Sequence, residues 1–394
     1  MKITFFKKQN LLFCIVMLYS FFLNNLSAQP ELTFTSVAAG LELPLNMKSA
    51  NDSTGRLFIV EQTGKIKILK DGQVQPKPFL DIANLVAVGE YKGLWSVAFP
   101  PDFKRTRAFF VYYYDKANNT ILARYQVSKT NPDSVILNSR VEVLSLKDTV
   151  TTFSHLGEMQ FGRDGNLYLT VSDGSFLNRT VRAAQDSTTL FGKMLRINVR
   201  NGITAPYYTI PPDNPFAGST TVKREIFMMG LRNAWRWSFD KQTMNIWIAD
   251  DGGEQWDEIN FVPRNQVGFK NFGWPCYEGS VTFVQQGCAD SAGYTFPVFE
   301  NPPDSNGEQA IIGGFVYRGK NYPMLRGYYI CSDYIQNKAW KIRTAAGGTF
   351  NIFEQLNIPP AITSYAEDEA GELYATSAEG IIYRVGAALP VAKE

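Results

Sequence analysis

The sequence predicts an all-β fold, a six-bladed β-propeller of four-stranded antiparallel blades. A unit of alternating apolar residues recurs along the chain, it recurs about six times, and no window sustains the i, i+3, i+4, i+7 apolar spacing of a long helix. In each copy an alternating run leads into a polar turn with Asp or Gly, and a second, aromatic-rich alternating run follows. Period-two patterning bounded by such turns is the signature of antiparallel hairpins.

The copies run in order. Asn51-Asp52-Ser53-Thr54-Gly55 precedes Arg56-Leu57-Phe58-Ile59 and then Gly64-Lys65-Ile66-Lys67-Ile68. Val97-Ala98-Phe99 with Pro101-Asp102 leads to Ala108-Phe109-Phe110-Val111-Tyr112. The clearest copy is Met159-Gln160-Phe161-Gly162-Arg163-Asp164-Gly165-Asn166-Leu167-Tyr168-Leu169. Trp237-Ser238-Phe239-Asp240 with Asn245-Ile246-Trp247-Ile248 is next, then Gly313–Tyr317 with Gly327–Ile330, and finally Ser364–Ala366 with Gly371–Ala375. Leu32–Val37 is expected to add a strand to the blade that Ile381–Val385 builds, removing two sheet edges at once. Ser172–Phe191, Asn201–Thr221 and Gly279–Ser305 fit no copy of the unit and read as rim loops, where propellers place binding residues.

Lys2, Lys7 and Lys8 precede an apolar run over Leu11–Leu23, and Leu26-Ser27-Ala28 offers a small-residue cleavage site. The run is short for a bilayer, so residues 1–28 are expected to be a cleaved signal peptide and residues 29–394 a propeller in the periplasm or secreted, with no membrane span. A formal charge of +2 supplies no basic field, so nucleic acid is not an expected partner. In an oxidising compartment a Cys276–Cys288 bridge is expected, the alternative being two unpaired buried thiols; Cys331 stands alone.

Few residues carry obvious chemistry. The single histidine, His155, excludes a multi-histidine zinc site. A lone histidine is usually structural, but this one stands at a loop-to-strand junction and imidazole is a suitable general base near neutral pH. Gly230-Leu231-Arg232-Asn233-Ala234-Trp235-Arg236-Trp237 packs two arginines among aromatics, and a buried guanidinium needs a partner. Asp250-Asp251-Gly252-Gly253-Glu254-Gln255-Trp256-Asp257-Glu258-Ile259-Asn260 is an acidic turn around a glycine pair; it suits either calcium or a solvated hairpin end.

Six blocks in order resemble the pyrroloquinoline-quinone-dependent glucose/sorbosone dehydrogenase family. They are His155 with Phe161–Tyr168, Gly192-Lys193-Met194-Leu195-Arg196-Ile197, Ile210–Phe216, Gly230–Arg236, Asp257-Glu258-Ile259-Asn260, and Asn271-Phe272-Gly273-Trp274-Pro275. Trp274-Pro275-Cys276-Tyr277-Glu278-Gly279 is similar to the branch that includes the propeller of hedgehog-interacting protein. The resemblance implies a quinone (PQQ) over a central pocket, and a Ca²⁺ ion faced by the carbonyls of Gly252 and Gly253. It implies that His155 takes the proton from a sugar C1 hydroxyl as hydride passes to the quinone. Arg232 would meet the charge on the quinone oxygen, with Asn233 alongside. The electron acceptor is unspecified.

The chain also departs from the family pattern. Leu156-Gly157-Glu158 replaces a Gly-Gly pair after the histidine, and an ungapped alignment puts Ser154 in the catalytic place. Tyr91 stands where a polar cofactor contact is expected, Ile335 replaces a lysine of the glucose enzymes, and Pro360-Ala361-Ile362 lacks their arginine pair. An anionic tricarboxylate needs cations. Two alternatives to a sugar dehydrogenase therefore stay open: a non-catalytic ligand- or protein-binding propeller, and a Ca²⁺-dependent lactonase-type hydrolase.

Overall fold

The computed structural model describes residues 29–89, 91–147, 156–174, 182–200 and 204–389. Residues 1–28, where a cleaved leader is expected, lie outside the described residues, as do Ser154 and His155. Six antiparallel sheets form the expected propeller. Their innermost strands are Pro44–Ser49, Leu94–Ala98, Leu156–Phe161, Arg236–Phe239, Ile311–Val316 and Ile362–Glu367, numbered here as blades 1 to 6. Each inner strand packs against the inner strands on either side, and blade 6 returns to blade 1, which closes the ring around an axis. Among the described residues the α-helix is a single turn at Phe103–Thr106.

The recurring unit of the sequence is a blade hairpin, and the Asp of its turn has a consistent task. Asp164, Asp240 and Asp368 each accept the backbone N–H two residues on, at 3.0, 3.0 and 2.9 Å. This Asx geometry reverses the chain without a further partner. Asp52 does the same at Thr54. Arginines lock three of these turns: Arg56 on Asp52, Arg196 on Asp164 and Arg318 on Asp240, at 2.6, 2.7 and 2.5 Å. The turns thereby gain charge-assisted bonds in half-buried surroundings.

Closure follows the expected route: Glu31–Ala38 pairs with Ile381–Ala388, Phe34 opposite Val385, as the outer strand of blade 6. Two expectations need adjustment. The outer place in blade 1 is shared by two short strands, Gln73–Val74 and Leu80–Asp81, both on Lys65–Lys70. The segment Gly279–Ser305 is also not all loop, because Phe299–Asn301 is the fourth strand of blade 4 and pairs with Asp257–Ile259. With three residues and a long insertion ahead of it, that strand carries too little alternation to be recognised locally.

The axis itself is charged. Glu158 of blade 3 lies 3.1 Å from the Lys48 ammonium of blade 1, and it accepts hydrogen bonds from Ser96 at 2.6 Å and Asn46 at 2.9 Å. Arg236 of blade 4 faces the same carboxylate and donates to the carbonyls of Leu45 and Thr363. Arg236 thus finds the partner that burial demands. Burial alone would push Glu158 up, but Lys48, Arg236 and the two hydrogen bonds outweigh it and hold the carboxyl below its ordinary range. Burial lowers Lys48, and the neighbouring Arg236 adds to that effect. One anion between two cations explains why the shifts differ: the carboxylate is attracted twice, while the cations also repel each other.

Candidate functional site

The segment Gly230–Trp235 joins the outer strand of blade 3, Ile226–Met229, to the inner strand of blade 4. It starts with a backbone turn only glycine tolerates: Gly230 has φ +78°, and a Cβ there would lie 2.1 Å from the Asn271 side chain. The next peptides are then captured by one carboxylate. Arg232 N–H and Asn233 N–H donate to the two oxygens of Asp250 at 3.0 and 2.6 Å. From the other side the Arg232 carbonyl accepts Asp173 N–H at 2.9 Å and the Ser172 hydroxyl at 3.0 Å. The backbone of Arg232 and Asn233 is therefore fixed between blades 3 and 4.

The side chains are fixed as well. Arg232 donates to the Asp251 carbonyl at 3.0 Å, and its guanidinium lies 3.5 Å from the Asp251 carboxylate. It also stacks over Trp274, 5.6 Å from the ring centre. Asn233 donates to the same Asp251 carboxylate at 3.1 Å. Trp274 is in turn held by its indole N–H on Asp173 at 2.5 Å and by stacking with Phe283.

The glycine pair closes this arrangement. Glu278 Oε1 accepts four consecutive N–H groups, from Gly253, Glu254 and Gln255 at 2.7 Å and Trp256 at 3.2 Å. Gly252 N–H goes to Asp257 at 2.8 Å, whose other oxygen takes the Ile311 N–H of blade 5 at 2.8 Å. Side chains are excluded at both glycines. A Cβ on Gly252 would fall 2.0 Å from the Trp256 carbonyl, and one on Gly253 would fall 2.8 Å from the Trp274 ring. Gly253 also lies against Arg232, 3.7 Å from Nε to the position of that Cβ. Arg232, Asn233, Gly252 and Gly253 thus meet in one place. His155 lies outside the described residues, and its neighbour Leu156 opens the inner strand of blade 3 opposite Val171.

Buried oxygens crowd this turn. Burial pushes up the Asp250, Asp257 and Glu258 carboxyls, with Asp250 and Glu258 directly opposite each other across their strands. Buried Oε2 of Glu278 and Oδ1 of Asn233 accept no hydrogen bond. The donors are all oxygen, which suits calcium. Among the described residues no three Asp, Glu, His or Cys side chains are placed to share an ion, so a cation here would rely on backbone oxygens, such as those of Gly252 and Gly253.

Cation density for an anionic cofactor is lower than in the resemblance. Ile335 is 40% exposed at the turn after Tyr329–Asp333, held by its N–H on Asp333, and it offers no charge. Tyr91 lies beside Gly89 and Lys92, whose carbonyls accept the Gln62 amide. The site's charge for an anion comes from Arg232.

Sequence reasoning missed one support, from Lys193, and expected another, the Cys276–Cys288 bridge. Lys193 is buried and donates to three carbonyls, Ala183, Ala184 and Phe191, at 2.7, 3.0 and 2.7 Å, which pins the long loop entering blade 3's third strand. Burial pushes it down to about 7. The disulfide between Cys276 and Cys288 is formed, with Cα atoms 5.8 Å apart, and it closes the loop that brings Phe283 onto Trp274. Cys331 is buried and unbridged. Replacing Cys276 and Cys288 by serine is expected to cost about 2–3 kcal/mol, read as a lower Tm in thermal unfolding. An unchanged Tm would show that the loop is held without the bridge.

Residues 41–384 match the family described as Glucose / Sorbosone dehydrogenase. The HIPL2 protein of Arabidopsis thaliana is 28% identical over 362 residues, covering 75% of this chain and 51% of that protein. Human hedgehog-interacting protein is 27% identical over 372 residues, covering 86% of this chain and 49% of that protein. The chain spans about half the length of these curated relatives. The soluble aldose sugar dehydrogenase of Escherichia coli, in its apo-form, superposes with a TM-score of 0.71 at 20% identity, over 91% of this chain and 100% of that one. The PQQ-bound aldose sugar dehydrogenase of Streptomyces coelicolor gives 0.69 at 18% identity, over 92% and 99%. At these identities the solved structures show the shared fold. No helix among the described residues is long and apolar enough to cross a membrane.

Proposed function

The chain belongs to the glucose/sorbosone dehydrogenase family, and from that premise we propose that it is an exported, PQQ- and Ca²⁺-dependent dehydrogenase of aldose sugars. The observation that carries this reading is the convergence of Arg232 and Asn233 with the Gly252–Gly253 turn, each fixed through its backbone by a buried carboxylate. Arg232 and Asn233 would contact the quinone, and the carbonyls of Gly252 and Gly253 would face the metal. When bound, the quinone supplies the hydride acceptor. The protein positions and supplies charge. Arg232 is held by Asp251 and Trp274, so it would offer its charge to a bound quinone without reorganisation. His155 would remove the C1 hydroxyl proton.

The test is reconstitution of the purified chain with PQQ and Ca²⁺, followed by dye reduction with a panel of aldoses. Reduction by at least one aldose, dependent on both additions, is the expected result; none with any aldose overturns the reading. Arg232→Ala is expected to lower kcat by about 10²–10³ with a smaller change in sugar KM, because the charge it meets grows in the transition state. A change confined to KM would assign Arg232 to sugar binding. One observation favours a second reading, a binding propeller like hedgehog-interacting protein. The exposed Tyr334 and Ile335 form an apolar pair where cofactor-binding charge is expected. A chain that binds no quinone would support it.

A further inference from the structure

The inner strands of all six blades end in one cavity of about 450 Å³ at the mouth of the axis opposite Arg232. It is lined by the last residues of those strands and those just after, from Lys48 of blade 1 to Glu367 of blade 6. The cluster of Asn46, Lys48, Ser96, Glu158 and Arg236 lies across the axis at its floor and separates it from the site of Arg232. Its walls are apolar: Phe99, Phe161, Phe239 and Phe315 come from four different blades and are all half-buried. Aromatic walls with a few polar groups and this volume characterise small-molecule sites.

Cations outnumber carboxylates at the mouth. Arg163 is exposed and its guanidinium donates to the Lys241 carbonyl, which brings these two cationic residues together at the rim. The Lys241 ammonium is anchored on the carbonyls of Asp368 and Glu369 at 3.3 and 3.2 Å and remains 41% exposed. Lys48 is a third cation in the lining, 5.4 Å from the Phe315 ring centre and shared with the Glu158 carboxylate below it. Among the described residues Glu367 is the carboxylate lining the cavity; it lies 3.9 Å from the Lys241 ammonium, and burial pushes it up to about 7. Lys48, Arg163, Arg236 and Lys241 stand against the two carboxylates Glu158 and Glu367, and this excess of positive charge favours an anion over a cation.

We propose that this cavity is a second ligand site, for a small amphipathic carboxylate whose apolar body lies among the four phenylalanine rings and whose charge meets Arg163 and Lys241. The site is independent of the dehydrogenase reading, since it shares no residue with the Arg232 face.

Titration calorimetry with sodium decanoate on the full chain tests it, with decanol as the uncharged control. Decanoate is expected to bind saturably, and decanol at least about tenfold more weakly. The double variant Arg163→Glu, Lys241→Glu is expected to weaken decanoate by about tenfold or more. Ser49→Trp, which fills the cavity from blade 1, is expected to abolish binding. Both variants alter partly exposed positions, and an unchanged Tm confirms their folding. Absence of saturable decanoate binding up to about 1 mM, equal binding of decanol, or wild-type affinity in the charge-reversed variant would each overturn the proposal. Quinone binding is expected to be the same in all of these proteins, which keeps this outcome separate from that of the dehydrogenase.

Discussion

Glu158→Ala is expected to destabilise the protein by about 3–5 kcal/mol, because it leaves the Lys48 ammonium and the Arg236 guanidinium buried at the axis without their shared anion. The loss should appear as a large fall in Tm or in the denaturant midpoint. Glu158→Gln is expected to cost less, since an amide still accepts from Ser96 or Asn46. Glu158→Ala with Lys48→Met should recover part of the loss, as removing both members of a buried pair costs less than removing one. The pH dependence has a definite sign. The folded carboxyl is held below its ordinary value, so its contribution is present above the ordinary carboxylate range and is lost as pH falls through the lowered folded value. The Glu158→Gln protein should therefore show a shallower loss of stability on acidification. Equal slopes would mean that Glu158 does not ionise against these partners.

His155→Ala is expected to lower turnover of the reconstituted enzyme by about 10²–10⁴, with quinone binding and Tm unchanged. A general base acts on the proton in flight, so its removal should slow the step without loosening the fold. Ser154→Ala is the companion variant, because an ungapped alignment would give Ser154 the catalytic place. It is expected to leave turnover near that of the parent. Should the serine variant lose turnover and the histidine variant keep it, the proton acceptor has been assigned to the wrong residue.

Much of the fold was legible because its determinants are local. The Asp of each hairpin turn bonds to the backbone two residues on, which makes the turn readable in Asp164-Gly165-Asn166 or Asp240–Asn245. The closing strand was legible from its alternation, and Phe34 does pair with Val385. The strand Phe299–Asn301 was not, because it is short and is recruited by blade 4 across an insertion.

The site shows the same division. The glycine pair and the Gly230–Arg236 segment drew attention by composition alone. Their meeting depends on Asp250, Glu278 and Asp173; the first two stand in segments the sequence singled out, but that their carboxylates capture these backbones is not readable locally, and Asp173 carries no local signal. Glu158 stood in plain view three residues after His155, but its role arises from Lys48 and Arg236, 110 and 78 positions away in the chain. Lys193 likewise reads as an ordinary strand residue until its three carbonyl partners are known.

Calcium-dependent retention of PQQ by the intact chain tests the central claim most directly. Equilibrium dialysis should show stoichiometric binding with Ca²⁺ present. Binding should be lost on chelation and sharply reduced in Arg232→Ala. No retention, or retention indifferent to both calcium and Arg232, would contradict the assignment of this site.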